Sequence, residues 1–422
     1  MSTAPVEMLE DARSIAYATP IDQIDPAQAH LFQRNEMWWN FERLRKEDPV
    51  HLADSPLYGR YWSITKFNDI MAVDTDHQNF SSEPGITLVT LTDQANPLLP
   101  GLSSFITMDP PKHDVQRKTV SPAVSPTNLQ ILEPLIRERA AAILDRLPIG
   151  EEFDWVENVS RELTAMTLAT LFGMPQEDRR RLTYWSDVVT AVPGHGVVET
   201  REEKIGIFVE YRDYFMKLWN QRVNEDPTGD LISMLAHGAD TRDMTPEEYF
   251  GNVILLTVGG NDTTRNTITG SVYALDRHPG EYAKLLADPG LIPSMVSETI
   301  RWQTPLAYMK RRATRDVEFR GKTIREGDTV AMWYVSGNRD DEVIDRPNDY
   351  IIDRARPRQH MSFGFGVHRC VGNRLAELQL KIIWEEIMAR FPAITVVGEP
   401  KRTFSTFVKG YERLPVVIPT RL

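Results

Sequence analysis

Cysteine is nearly absent from this sequence, whose 422 residues include a single one at position 370. One cysteine excludes a disulfide bond within the chain, so this thiol is available for other chemistry. Long apolar runs are missing too, since no stretch of about 18 apolar residues occurs and the first 17 residues are polar and acidic. These absences predict a cytoplasmic protein without a secretory signal or a membrane anchor.

The charge balance and the absence of common catalytic motifs narrow the function further. The net charge is −12 and the isoelectric point is near 5.4, which argues against a nucleic-acid partner. Neither the His-Glu-x-x-His pattern of zinc proteases nor the Gly-x-Ser-x-Gly pattern of serine hydrolases is present. The Gly364-Phe365-Gly366 run lacks the third glycine of a dinucleotide-binding loop.

The overall composition is that of a globular protein. Hydrophobic residues make up 41% of the chain and charged residues 26%, and no internal repeat or linker is visible. The pattern is mainly helical, with strand-like segments at 49–65, 316–330 and 394–418. Residues 82–102 and 193–196 are predicted as loops, a kind of segment that often forms a binding loop or a lid.

The single cysteine lies in a glycine-rich loop that leads into an amphipathic helix. The loop at 363–372 reads FGFGVHRCVG, and apolar residues then recur at helical spacing from Leu375 to Ile387. Glycines let a backbone turn sharply and approach a flat ligand without a Cβ clash. A thiolate before a helix N-terminus is stabilised by the helix dipole, so Cys370 can stay deprotonated and bind a metal. A small buried hydrophobe is the alternative role for a lone cysteine.

A second unusual segment interrupts the most strongly predicted helix. Thr245, Pro246 and Glu248 supply an N-cap, a first-turn proline and a capping-box acid, and the helix continues to about residue 276. Its middle, residues 259–264, reads GGNDTT, which weakens the helix with two glycines and adds an acid and two hydroxyl groups. A tolerated kink is one explanation. A helix that opens beside a ligand and passes protons is the other.

The cysteine loop resembles the haem-ligand signature of the cytochrome P450 family, in which Phe, Gly, His or Arg, Cys and Gly stand at these spacings. The resemblance implies that Cys370 is the proximal ligand of haem b, iron protoporphyrin IX, with Phe363 and Gly364 around it. It extends over the chain from about residue 30, which predicts an N-terminal extension at 1–30 and one haem-thiolate monooxygenase domain at 31–422. The implied fold is mainly α with small β-sheets, a single triangular domain with buried haem.

The GGNDTT run looks like the oxygen-activation motif of the same family. By that resemblance Thr263 is the alcohol that positions protons, Asp262 is the acid, and Gly259 and Gly260 border the oxygen pocket. The implied reaction uses O2, two electrons and two protons to insert one oxygen atom into a C–H bond, with release of water. A peroxygenase and a haem-binding sensor without oxygenation are alternatives, and a sensor would not need the acid–alcohol pair.

Haem carries two propionates, which need cations or strong donors when they are buried. His113 and Arg117 are four residues apart on one predicted helix face and resemble the propionate-binding segment of the family. Arg312 resembles a further propionate contact, and His368 in the cysteine loop is the fourth. On its own, the His113–Arg117 spacing is typical of a solvated helix face.

Glu298 and Arg301 match the buried Glu-x-x-Arg element of the family, for which we expect a structural role. A second arginine usually completes that network from a Pro-x-Arg-Phe-like segment, but Asp349 stands at that place here. Arg354 and Arg346 are the candidate substitutes.

Apolar residues in the 82–102 loop and after Pro305 predict a pocket wall for a substrate with few polar groups. These residues are Ile86, Leu88, Val89, Leu306, Ala307 and Met309. The segments around Cys370 and at 108–114 look closest to soluble bacterial members that hydroxylate the terminal carbon of alkanes and fatty acids. A terpene or terpenoid would suit the same wall and is the first alternative.

Electrons would come from separate proteins, because the sequence contains no recognisable flavin or nicotinamide domain. The resemblance implies a [2Fe–2S] ferredoxin and a flavin-dependent ferredoxin reductase. Arg117, Lys118, Arg369 and Arg374 would form a basic face for an acidic ferredoxin. Scattered surface cations would give the same sequence pattern.

Overall fold

The computed structural model describes residues 4–83 and 85–422, and helices account for most of the regular structure. Among these residues the α-helices, in chain order, are α1 (Ala4–Ala18), α2 (Ala29–Arg34), α3 (Trp38–Glu47), α4 (Phe67–Thr75), α5 (Leu91–Ala95), α6 (Lys112–Val120), α7 (Pro126–Asp145), α8 (Arg161–Phe172), α9 (Arg179–Thr190), α10 (Arg201–Val223), α11 (Leu231–His237), α12 (Pro246–Arg277), α13 (Pro279–Ala287), α14 (Ile292–Gln303), α15 (Tyr334–Gly337) and α16 (Asn373–Met388). Across the described ranges, every helix is too short or too polar to cross a lipid bilayer.

The β-strands are short and pair into small sheets. They are β1 (Val50–Ser55), β2 (Gly59–Ile64), β3 (Phe80–Ser81), β4 (Glu152–Asp154), β5 (Met309–Ala313), β6 (Val317–Phe319), β7 (Lys322–Ile324), β8 (Thr329–Met332), β9 (Thr395–Val396), β10 (Lys401–Arg402), β11 (Tyr411–Arg413) and β12 (Pro415–Val417). The largest sheet has the order β1-β2-β8-β5-β3, in which only β2 and β8 run parallel. The others are β4-β12-β9, β6-β7 and β10-β11.

This architecture confirms the predicted fold, mainly α with small β-sheets. The three strand-like segments contain β1 and β2, then β6 to β8, then β9 to β12. Strand β5 is not predicted, because three of its five residues are cations. The 82–102 loop is also less irregular than predicted, since it contains the short helix α5, capped by the Thr90 hydroxyl. The boundary at residue 30 stays a prediction.

Helix α12 lies against α8, α9, α10, α14 and α16, so it runs through the middle of the helical body. The Thr245 hydroxyl accepts the backbone N–H of Glu248 at 3.2 Å, as the capping pattern predicts. The helix is continuous through Gly259 and Gly260, so the predicted opening is wrong. Close packing explains one of the two glycines, because a Cβ on Gly260 would lie 2.6 Å from Leu168 Cδ2 on α8.

The Glu298–Arg301 network has Arg354 as its third member. Glu298 is fully buried and accepts from Arg301 at 2.7 Å and from Arg354 Nε at 2.9 Å. Arg301 also donates to the backbone carbonyls of Pro347 and Asp349, so the network fixes the segment that leads to the cysteine loop. Arg346, the other candidate, has an exposed side chain.

Candidate active site

A cavity of about 990 Å³ separates the middle of α12 from the cysteine loop at 363–372. Gly259, Gly260 and Thr263 line it from α12, and Cys370 and the other predicted residues Phe363, Gly364 and His368 line it from the loop. Its volume is at the top of the roughly 300–1,000 Å³ range of small-molecule sites. The structure therefore brings the two sequence motifs together around one space that is large enough for a bulky cofactor.

Cys370 lies two residues before the N-cap position of α16. Its backbone N–H donates to the Phe363 carbonyl at 2.8 Å, which closes the loop, and its side chain is exposed to the cavity. Burial within the protein raises the pKa of the thiol, against the opposing effects of the Gly372 and Asn373 N–H groups and of Arg117. A bound metal cation would oppose the effect of burial and favour the thiolate form.

Two loop glycines adopt a left-handed backbone where the cysteine loop crosses the end of α4. Their φ angles are 65° at Gly364 and 64° at Gly366, and a Cβ on Gly366 would lie 2.8 Å from the Asp74 carbonyl oxygen. The Asp74 carboxylate is buried below the loop. It accepts from Phe365 N at 2.8 Å, from the Tyr334 hydroxyl at 2.7 Å and from Arg311 Nη2 at 2.7 Å. Asp74 is therefore a positioning residue, and no motif in the sequence indicated its role.

Four cationic or histidine side chains gather beside the cysteine loop. Arg117, Arg311 and His368 line the cavity, and the ring of His113 is 4.4 Å from that of His368. Within the described part of the chain, both ring nitrogens of His368 and Nε2 of His113 are buried without hydrogen-bond partners. Burial, with Arg311 adding to it, lowers the pKa of His368 to about 2, and burial lowers the pKa of His113. An anionic ligand with several acceptor oxygens would satisfy this group.

Arg312 is not in this group, which corrects the sequence assignment. Its side chain is exposed, whereas the neighbouring Arg311 is buried and lines the cavity. Successive residues of a strand point to opposite faces, and Arg311 shares its face of β5 with Met309, another lining residue. Met309 and Arg312, three positions apart, face opposite sides, so both could not line one pocket.

Asp262 also lies away from the cavity. Its fully buried carboxylate pairs with Arg265 at 3.0 Å and accepts from Asn261 Nδ2 at 2.9 Å, and Arg265 pairs in turn with Asp187 on α9 at 2.8 Å. Burial raises the pKa of Asp262, while Arg265 opposes that effect. The structure therefore separates the predicted acid from the predicted alcohol, because adjacent helix residues point about 100° apart.

Thr263 does face the cavity, and its hydroxyl donates to the Gly259 carbonyl at 2.7 Å within its own helix turn. Thr267 Oγ1 repeats the same bond to the Thr263 carbonyl at 2.7 Å. The space beside Gly259 is open, since no described atom beyond its chain neighbours and the backbone of its own helix lies within 4 Å of the position of a Cβ there. A flat ligand can therefore approach the backbone of α12 at this point.

Five of the six predicted wall residues line the cavity: Ile86, Leu88, Val89, Leu306 and Met309. Ala307 does not, because it packs in a separate buried cluster with Phe41 and Trp333. The sequence missed most of the remaining wall, including the apolar residues that α8, α10 and α12 contribute. Those apolar residues look like ordinary core positions in sequence, so no signal separates them from packing residues.

The donor set fits iron protoporphyrin IX. Cys370 offers one soft axial ligand, Arg117, Arg311, His113 and His368 offer donors for two carboxylates, and Gly259 leaves room for a flat ring. Among the described residues, no group of three or more His, Cys, Asp or Glu side chains could hold a bare metal ion. The cavity therefore suits a metal inside a macrocycle better than a metal held by protein ligands alone.

Sequence comparisons give the same assignment. The family model described as Cytochrome P450 matches residues 290–413. Linalool 8-monooxygenase of Pseudomonas putida is 32% identical over 385 residues, which cover 90% of this chain and 94% of that enzyme. Methyl-branched lipid omega-hydroxylase of Mycobacterium bovis is 31% identical over 390 residues, which cover 89% of this chain and 90% of the relative.

The fold has close counterparts among solved structures. Cytochrome P450-153 from Novosphingobium aromaticivorans superposes with a TM-score of 0.86 at 42% sequence identity. The match covers 93% of this chain and 98% of that one, so the similarity extends well beyond the cysteine loop. With the cavity and its cysteine, these similarities show that this chain belongs to the cytochrome P450 family and is a haem-dependent monooxygenase.

Proposed function

We propose that this monooxygenase hydroxylates the terminal carbon of medium-chain alkanes or fatty acids. The observation that carries the proposal is the apolar wall of the cavity. Aliphatic side chains of α12 and of the 85–107 segment line it, among them Leu88, Leu102, Ile254 and Leu255. Such a wall gives a linear apolar chain contact along its length.

The relatives support two substrate classes. The name of the Mycobacterium bovis relative states omega-hydroxylation of a methyl-branched lipid, which is attack at the end of a chain. The Pseudomonas putida relative is named for linalool, so a terpene or terpenoid is the second candidate substrate. The cavity wall is compatible with both classes, and the test below separates them.

Different residues of this chain would have different roles around the cofactor. Cys370 would bind the haem iron, and Arg117, Arg311, His113 and His368 would hold the propionates. When bound, haem supplies the activation of O2 with electrons from a reductase system, and the thiolate ligand favours cleavage of the O–O bond. We assign to the Thr263 hydroxyl the positioning of protons in the adjacent space.

For the electron donors we propose a [2Fe–2S] ferredoxin and a flavin-dependent ferredoxin reductase, in the cytoplasm. Three of the four cations predicted for a docking face, Lys118, Arg369 and Arg374, have exposed side chains. Arg117, the fourth, turns inward and donates to the Arg369 carbonyl, so it supports the loop instead of facing a partner. The exposed three would attract an acidic protein towards the cysteine side.

An optical titration of the ferric, haem-loaded protein tests the substrate class. The ligands are a medium-chain alkane, dodecanoate and linalool, and the measurement is the change from low-spin to high-spin haem absorbance. We expect the linear chains to produce the change, followed by terminally hydroxylated product when a ferredoxin system and O2 are supplied. A spectral change with linalool alone would leave the enzyme class intact and overturn the terminal-hydroxylase proposal.

A further inference from the structure

We infer that Lys204 binds the carboxylate of a fatty-acid substrate at a part of the cavity wall outside the cysteine loop. The inference rests on the proposed function and deepens it, because it selects an anionic chain over a neutral alkane. Arg201, Lys204 and Phe208 of α10 all line the cavity, and their spacing of three and four residues places them on one helix face.

Lys204 is unusual for a lysine because its side chain is only 5% exposed. Its Nζ donates to the carbonyls of Val189 at 3.1 Å and Ala191 at 2.7 Å, and it lies 5.8 Å from the centre of the Phe208 ring. An ammonium group has three N–H donors, so these two carbonyls leave one donor. Among the described residues, that donor has no acceptor within hydrogen-bond distance.

The other charged residues that line the cavity are accounted for. Arg117 and Arg311 contact the cysteine loop and its Asp74 anchor, where two propionates match them. Arg201 pairs with Asp93 at 3.3 Å, and Asp93 also accepts from the Thr90 hydroxyl at 3.0 Å. Asp93 therefore already has partners. Lys204 is left as a buried cation without a carboxylate within 4.0 Å in the described part of the chain.

A buried charge without a paired carboxylate is costly. Burial lowers the pKa of Lys204 to about 8, against the opposing effect of the nearby Asp93. A substrate carboxylate at the remaining donor would offset the cost of burial. The two lysine–carbonyl bonds also join the end of α9 to α10, so a purely structural role is the competing explanation. That role explains the two bonds but not why a cation, and not a neutral amide donor, makes them at a cavity wall.

The cavity wall at Lys204 is built from different elements than the wall at Cys370. Arg201 contacts Asp93 of α5 and Lys204 contacts the carbonyl of Ala191 after α9, whereas Thr263 belongs to α12 and Cys370 to the cysteine loop. A carboxylate fixed at Lys204 would direct the methyl end of its chain towards Thr263. The distance between Lys204 and the reacting site would then determine that the last carbon of the chain is hydroxylated.

The test compares dodecanoate with 1-dodecanol, which has the same chain length and no charge. Binding to the haem-loaded protein is measured by calorimetry and by the spin-state change, for the wild type, Lys204→Gln and Lys204→Arg. Lys217→Gln is the matched control, because Lys217 is an exposed residue of the same helix. We expect Lys204→Gln to reduce the dodecanoate-to-dodecanol affinity ratio about tenfold or more, as loss of a charge-assisted hydrogen bond predicts. Lys204→Arg should keep most of the ratio and Lys217→Gln all of it.

An equal loss of affinity for both ligands in Lys204→Gln would assign Lys204 a structural role. That result, or an affinity ratio equal to that of the wild type, would overturn the inference and leave the proposed function standing. If the wild type binds neither ligand, the proposed substrate class fails and the carboxylate site fails with it. A tenfold drop in the ratio that Lys204→Arg does not restore would also contradict a charge-based site.

Discussion

The Asp74 carboxylate accepts the backbone N–H of Phe365 at 2.8 Å, across 291 positions of sequence. Its second oxygen pairs with Arg311, which is one of the four side chains expected to hold the haem propionates. One buried carboxylate therefore connects the cysteine loop to this arginine. The conformation of the loop therefore depends on a residue outside its own motif. The glycines allow the positive φ angles, and the hydrogen bond to Asp74 stabilises this conformation.

We predict that Asp74→Asn weakens haem binding, although Asp74 itself is not one of the residues proposed to contact haem. The amide keeps an acceptor for the Phe365 N–H but loses the charge that pairs with Arg311, and breaking a buried ion pair costs about 3–5 kcal/mol. The free energy of unfolding in urea should fall by that order, and a smaller fraction of the protein should show thiolate-ligated haem. Asp240→Asn, at an exposed aspartate, is the control. Wild-type stability and a full thiolate spectrum in Asp74→Asn would refute the positioning role.

Thr263→Ala should retain haem but lose the coupling of electron use to product. Its hydroxyl belongs to the GGNDTT motif and lies at the cavity wall, and positioned proton donors contribute about 10²–10⁴-fold to such steps. We expect product formed per NADH consumed to fall about tenfold, measured with a saturating substrate. Thr263→Ser keeps a hydroxyl at the same place and should keep most of the coupling. Equal coupling in the two variants would remove Thr263 from the mechanism.

Arg354→Met should destabilise the protein far more than Arg346→Met. Arg354 is paired with the fully buried Glu298, so its loss leaves a buried carboxylate with one partner fewer, at a cost of about 3–5 kcal/mol. The exposed Arg346 should change the unfolding free energy by only about 0.5 kcal/mol. Urea denaturation of both variants decides the matter, and similar losses would mean that Arg354 is not the third member of the network.

The affinity for dodecanoate should decline as the pH rises above 8. The pKa of Lys204 is lowered to about 8, so the ammonium form is complete well below that pH and is lost as the pH passes through it. Calorimetry from pH 7 to 10 should show the wild type approaching Lys204→Gln, with 1-dodecanol unaffected. A flat profile for dodecanoate would contradict an ammonium–carboxylate contact.

The sequence predicted the features that are local. The start of α12 is specified by Thr245, Pro246 and Glu248 alone, and the cysteine loop contains its ligand and its glycines within ten residues. Both therefore lie where the sequence predicted them. The fold, mainly α with small β-sheets, and the buried Glu298–Arg301 pair were predicted from the resemblance to the cytochrome P450 family, since the spacing of Glu298 and Arg301 alone is that of a surface ion pair.

The errors about the site residues concern the direction in which a side chain points. Whether Asp262 or Thr263 faces the cavity depends on where α8 and α9 pack, which the sequence of α12 does not contain. Arg311 was missed because β5 was not predicted as a strand, and without its alternation either arginine was acceptable. Asp74 and Lys204 had no signal, because their roles come from contacts with distant segments.

The 291-residue separation of Asp74 and Phe365 also orders events during synthesis. The ribosome completes Asp74, Arg311 and Tyr334 before it has made the loop that lies on them. Until residues 363–372 have emerged, those polar groups can contact one another, but the chain lacks the cysteine that would bind haem. Haem binding through Cys370 is therefore a late step, because a nascent chain that stops before the loop contains residues that would surround haem but no cysteine to bind its iron.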